Sequence, residues 1–77
     1  MITPTLGINV TNFITDAFSG DGTTTDFALS TSSTTDNTFV FIDGVQQNPT
    51  DAYSVTNALL AFTEAPETGA SIVARHA

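Results

Sequence analysis

The run Phe39–Val55, FVFIDGVQQNPTDAYSV, constrains the fold more than any other part of this chain. Phe39, Val40, Phe41 and Ile42 are β-branched or aromatic, the composition of a largely buried strand. Asp43-Gly44 follows at once. A two-residue hairpin turn of the type I′ class needs positive φ at both central positions, which Asp-Gly supplies. Thr38–Ile42 and Val45–Gln47 are therefore expected to pair as a hairpin, with Asp43 and Gly44 as its structural turn. Asn48-Pro49-Thr50-Asp51 should break the return strand, since proline has no N–H to give a ladder. Ala52–Val55 then starts another strand.

The rest of the chain continues the same grammar. Met1–Leu6, with Pro4 inside it, reads as an extended arm. Ile8–Asn12 alternates apolar and polar residues, the period of a half-buried strand, and Phe13-Ile14 extend it. Thr15–Phe18 and Thr24–Leu29 flank the turn signal Ser19-Gly20-Asp21-Gly22 and are expected to form a second hairpin. Ser30–Asn37, STSSTTDN, reads as an exposed polar loop. Thr56-Asn57 is a candidate turn, because Asn tolerates positive φ. Leu59–Thr63 is a further strand, Glu64–Gly69 a loop, and Ser71–Arg75 the closing strand, with Ile72 and Ala74 opposite Val73 and Arg75. The expectation is an all-β fold: a small antiparallel β-sandwich or barrel of about seven short strands with an extended N-terminal arm. Residues 1–14 form the arm with a candidate first strand, and residues 15–77 a single β domain.

A chain of 77 residues buries only a modest core and needs a staple. With no Cys and a single His, neither a disulfide nor a Cys/His metal site is available. Association with other chains is the staple that is left. Eight acidic residues stand against one Arg and no Lys, for a net charge of −7. No nucleic-acid binding is therefore expected, because phosphates require clustered cations. An anionic membrane surface is disfavoured on the same ground. No apolar run approaches the ~20 residues of a membrane span. Met1–Val10 has no basic segment of a secretory signal, so synthesis in the cytosol is expected. At 40% hydrophobic, with six Phe and a Tyr, the composition is that of a folded chain.

Candidate chemistry is sparse. His76 is the one available imidazole base, and a triad would require it to meet a Ser and an Asp. Its place beside the C-terminus suggests a frayed, exposed side chain. Asp16, Asp21 and Asp26 recur every five residues around a Gly-rich loop, but not at EF-hand spacing, and Asp-Gly turns account for Asp21 and Asp43. Asn9-Val10-Thr11 fits a glycosylation sequon by chance. Tyr53 and the Phe residues are expected inside, although Phe39 and Phe41 share a face of their strand. Arg75, the sole basic side chain, suits either an ion pair at home or an intersubunit contact. No enzyme activity, metal or cofactor is expected.

Four pieces of the sequence, taken in order, resemble a known group. Phe18–Leu29, FSGDGTTTDFAL, is similar to the opening of small β modules in bacteriophage virion proteins. Val40–Gln47, VFIDGVQQ, resembles their Asp-Gly hairpin. Asp51–Val55 with Leu60–Pro66, and then Gly69–Ala74, resemble their closing strands. The resemblance covers about Phe18 to Arg75. It implies a non-enzymatic structural unit, found in tail fibres, tail appendages and other particle surface proteins. There the unit is usually one among many in a long protein, whereas here it spans most of the chain. That implies a small virion protein, assembled in the host cytoplasm: a capsid decoration (cement) protein that binds and stabilises the particle surface. The alternative is a tail-fibre or tail-appendage module that recognises a receptor or carbohydrate. A hydrolase centred on His76 is the weakest reading. The implied partners are other virion proteins, of capsid or tail, and copies of the chain itself, with a trimer favoured. Assembly contacts are expected at Thr3, Pro4, Thr5, Leu6 and Ile8 of the arm, where an extended segment can add to a partner's sheet edge, and at Arg75.

Overall fold

A computed structural model describes residues 13–77. It contains six β-strands: β1 (Ile14–Ser19), β2 (Asp26–Thr34), β3 (Thr38–Ile42), β4 (Val45–Gln46), β5 (Tyr53–Phe62) and β6 (Ser71–His76). A single 3-10 turn, Thr35–Asn37, joins β2 to β3, and among the described residues there is no α-helix. The fold is all-β, in two antiparallel sheets: a four-stranded sheet in the order β1-β6-β3-β4 and a two-stranded sheet of β2 and β5. Neither closes into a barrel. The assembly residues expected at Thr3, Pro4, Thr5, Leu6 and Ile8, and the alternating Ile8–Asn12 segment, lie outside the described residues.

The hairpin at Asp43-Gly44 forms as the sequence dictates. Ile42 pairs with Val45, and Asp43 and Gly44 have φ of 52° and 82°. The Asp43 carboxylate also accepts a bond from the Ser71 N–H at 2.9 Å, tying the turn to the start of β6. The corner at Asn48–Asp51 breaks the strand as expected. It is closed by Ala52 N–H donating to the Asn48 carbonyl at 2.9 Å and Thr50 N–H to the Tyr53 carbonyl at 2.8 Å. Ser71–Arg75 alternates as expected, with Ile72 and Ala74 fully buried, and β6 continues one residue further to His76.

Three expectations are corrected. β1 does not pair with β2. It pairs with β6, from Ile14 opposite His76 to Ser19 opposite Ser71, while β2 pairs with β5. The Ser19–Gly22 turn is a corner between sheets. Gly20 N–H donates to the Ala70 carbonyl and Gly69 N–H to the Gly20 carbonyl, both at 2.9 Å, so the β1/β6 ladder runs on through Gly20. A Cβ at Gly20 would overlap the Glu67 carbonyl, so only glycine allows this approach. Asp21 then turns the chain: its carboxylate accepts from the backbone N–H of Thr23 and Thr24 and from the Thr24 hydroxyl, and these bonds hold its pKa well below the usual range.

Second, Ser30–Thr34 is strand, not loop. Thr is a good strand residue, and Ser33 and Thr34 pair with Asn57 and Thr56. Third, Thr56-Asn57 is not a turn. β5 runs unbroken through it, and Asn57, at φ 55°, sits where the β2/β5 register shifts between Ala28 and Ser33. A bulge uses the same left-handed residue that a turn does.

The chain passes between the sheets at four corners, and both sheets supply one core. Val40, Ile72 and Ala74 come from the four-stranded sheet; Leu29, Tyr53, Val55, Leu60 and Phe62 come from the two-stranded one. Phe18 and Phe27 pack against it with ring centroids 5.1 Å apart. Each large side chain fully buried here contributes about 1.5–3 kcal/mol. The Tyr53 hydroxyl, drawn into that core, donates to the Thr38 carbonyl at 2.7 Å, and burial pushes its pKa up. β6 lies between β1 and β3, so the four-stranded sheet needs the last strand in place before it exists.

Candidate functional site

Two features of the four-stranded sheet carry polar or exposed aromatic chemistry, one on each face. On the inner face, strand alternation aligns Ile14, Asp16 and Phe18 of β1 with His76, Ala74 and Ile72 of β6. His76 is not a frayed tail residue. It has ladder partners on both sides, Ile14 and Thr38, and is fully buried. Its Nε2 lies 2.7 Å from Asp16 Oδ2. Since a carboxylate only accepts, Nε2 carries the hydrogen. Nδ1 is buried with no partner among the described residues.

The same Asp16 oxygen accepts two bonds from β2: the Ser30 N–H at 2.9 Å and the Ser30 hydroxyl at 3.1 Å. Ser30 lies within the β2/β5 register shift, where the bulge leaves its N–H without a ladder partner. Asp16 thus caps a bulge in one sheet while holding a buried imidazole in the other. Burial of the Asp16 carboxyl raises its pKa, but the Ser30 backbone bond, the His76 bond and the Ser30 hydroxyl outweigh this, and the net shift is downward.

A serine, an aspartate and a histidine therefore converge, but in the wrong order for nucleophilic catalysis. In a triad the imidazole stands between hydroxyl and carboxylate, taking the proton from one and oriented by the other. Here the carboxylate stands in the middle, and Ser30 donates to Asp16. The arrangement is a latch between the two sheets. Nor do the recurrent aspartates gather: Asp16 and Asp21 are each engaged by the bonds described, and Asp26 meets the Thr25 hydroxyl at 3.3 Å. Among the described residues, no group of three or more His, Cys, Asp or Glu side chains is placed to hold a metal ion.

The outer face is of another kind. The register puts Phe39 opposite Arg75 and Phe41 opposite Val73 on the side away from the core. Phe13, just before β1, stacks on Phe39 with ring centroids 6.1 Å apart and an interplanar angle of 18°. Phe13, Phe39, Phe41 and Arg75 line an open groove of about 310 Å³. Phe39 is 45% exposed, a large cost for a small protein to leave uncovered. Among the described residues no carboxylate lies within ion-pairing distance of Arg75, the sole basic side chain.

Of the residues expected at functional positions, Arg75 is on this groove and Asp43-Gly44 forms the structural turn at the end of the same sheet. Phe13, Phe39 and Phe41 were expected inside; the sequence signal for the last two was their shared face. Comparison of the chain with family models, with curated proteins and with solved structures finds no match.

Proposed function

We propose that this chain is a non-enzymatic structural protein of a bacteriophage virion, a small two-layer β-sandwich that seats on the capsid surface and reinforces it. The observation that carries this reading is the outer face of the four-stranded sheet. A protein of net charge −7 places its sole cation among three partly exposed Phe side chains on one sheet surface. Such a surface suits docking against other protein, where aromatic residues and Arg are the enriched anchors. The resemblance of the turn and strand motifs to phage virion modules supplies the setting. The latch order of Ser30, Asp16 and His76 favours a structural role over hydrolysis.

The test is reconstitution. Purified protein is added separately to undecorated capsids and to tails of the phage that encodes it, pelleted, and imaged by electron cryomicroscopy. Stoichiometric, ordered density on the capsid is expected. No association with either at about 100 μM, far above the Kd of a specific contact, would end the proposal. A second reading, a tail appendage that recognises carbohydrate, is favoured by the same groove, because aromatic faces stack on sugar rings. Binding on a glycan array that Phe39→Ala abolishes would favour it over decoration.

A further inference from the structure

We infer that in the free protein the outer face of the four-stranded sheet is covered by a second copy of this chain, which docking on a particle would displace. The inference rests on reading that face as an association surface, and not on the virion assignment.

The argument is electrostatic first. Two copies of net charge −7 repel, and the repulsion is least where the surfaces that meet carry no acid. Strand alternation puts Thr15, Ala17, Val73, Arg75, Phe39 and Phe41 on the outer face, with no carboxylate among them. The acids lie elsewhere. Asp16 points to the core, Asp21 and Asp36 are at corners, Asp51, Glu64 and Glu67 are in loops, and Asp43 is turned onto Ser71 at the end of the sheet. The two-stranded sheet, which also exposes an apolar side chain in Leu59, starts its β2 with Asp26. The aromatic face is the surface on which like copies can meet without opposing carboxylates.

Chemistry and size then define the contact. Arg75, next to Phe39 across the ladder, offers a planar cation able to stack on the partner's rings. The rings offer a sugar stacking faces, but the groove adds a single charged group, fewer polar partners than a sugar's hydroxyls require, so a second copy fits it better. Strands of six, six, five and two residues set about 4.8 Å apart give a face of roughly 300 Å² in projection. That is below the ~800 Å² per partner of a standard interface, so the association is weak, with a micromolar Kd. One self-complementary patch builds pairs about a two-fold axis; a trimer needs a second patch.

Sedimentation equilibrium of the full chain from about 5 to 500 μM tests this. The expected mass rises from 8.0 kDa toward twice that value. Phe39→Ser, at an exposed site that leaves the core intact, should weaken the association at least tenfold. Arg75→Glu, which puts an acid on each face, should do the same, while Asp36→Asn on the 3-10 turn should change it less than twofold. Raising NaCl from 20 to 300 mM should tighten the wild-type association, because it screens repulsion between two anions. A monomer at every concentration overturns the inference. So does an oligomer that Phe39→Ser leaves intact. A monomer whose Phe39 ring shows nuclear Overhauser contacts to residues 2–10 overturns it too, and assigns the face to the chain's own N-terminal segment. Capsid binding by a strictly monomeric protein would sink the self-association while leaving the proposed function standing.

Discussion

Replacing Asp16 by Asn keeps the shape of the latch and removes its charge. One oxygen, Oδ2, accepts from Ser30 N–H at 2.9 Å, Ser30 hydroxyl at 3.1 Å and His76 Nε2 at 2.7 Å. Bonds to an ionised acceptor contribute about 1.5–3 kcal/mol each and neutral ones about 0.5–1.5. The difference is roughly 1 kcal/mol per bond. Ser30 is exposed, so water compensates in part for its two bonds, whereas the buried His76 has no such recourse. The expected cost of Asp16→Asn is about 2 kcal/mol, or a fall in Tm of about 8–16 °C for a domain of this size. Asp16→Ala should cost about 1–3 kcal/mol more, because both nitrogens of a buried ring then lack partners.

The pH dependence separates this latch from mere packing. The Asp16 carboxyl is held below its usual value in the folded protein. Its contribution is therefore fully present above the unfolded value of about 3.9 and is lost as pH falls through the lowered folded value. Asn does not titrate. The stability gap between wild type and Asp16→Asn should be full at pH 5 and should close as pH falls toward 2. Urea unfolding followed by far-ultraviolet circular dichroism at several pH values measures it. A gap under about 0.5 kcal/mol at pH 5, or one that is unchanged at pH 2, would refute the assignment of Asp16 as the charged centre of the latch.

Two glycines and one asparagine test the corners and the bulge. Gly44→Ala meets open space but keeps φ at 82°, so it should cost about 1–2 kcal/mol. Gly20→Ala drives a Cβ into the Glu67 carbonyl and should cost more than about 3 kcal/mol; thermal melts in the reverse order would contradict the corner geometry. At Asn57, φ 55° predicts that Asn57→Gly stays within about 0.5 kcal/mol of wild type, while Asn57→Val loses about 1–2 kcal/mol, by the same melts.

What the sequence discloses is what two or three adjacent residues decide. Asp43-Gly44 needs nothing beyond its own φ preferences, and the break at Asn48–Asp51 needs only its own short-range bonds. Pairing is different. Reading β1 and β2 as a hairpin follows the general rule that successive strands neighbour each other. It fails because β1 finds β6, with Ile14 opposite His76 some sixty residues away. No local signal announces that partner. The same long-range event changes His76 from a tail residue into a buried one, and the Asp16 latch appears only once β1, β2 and β6 are all in place. At Asn57 the residue type signals positive φ, which the backbone has, but not its use, since bulges and turns share it.

The outer face shows how such a long-range pairing can invert a local expectation. By size alone, β3 would turn Phe39 and Phe41 inward and leave Thr38 and Val40 outside, a gain of a few kcal/mol. Its register with β6 forbids this. Phe39 is opposite Arg75, and Val40 is opposite Ala74. Turning the phenylalanines in would carry Arg75 into the core and send Ile72 and Ala74 out. Burying an unpaired guanidinium costs several kcal/mol, and the loss of Ile72 adds to it. The penalty exceeds the gain, so Thr38 and Val40 go in and the aromatic pair is left on the surface. One arginine in the closing strand therefore fixes which face of the sheet is core. The aromatic side chains that the core forgoes stay on the outer face, the surface at which we propose other chains dock.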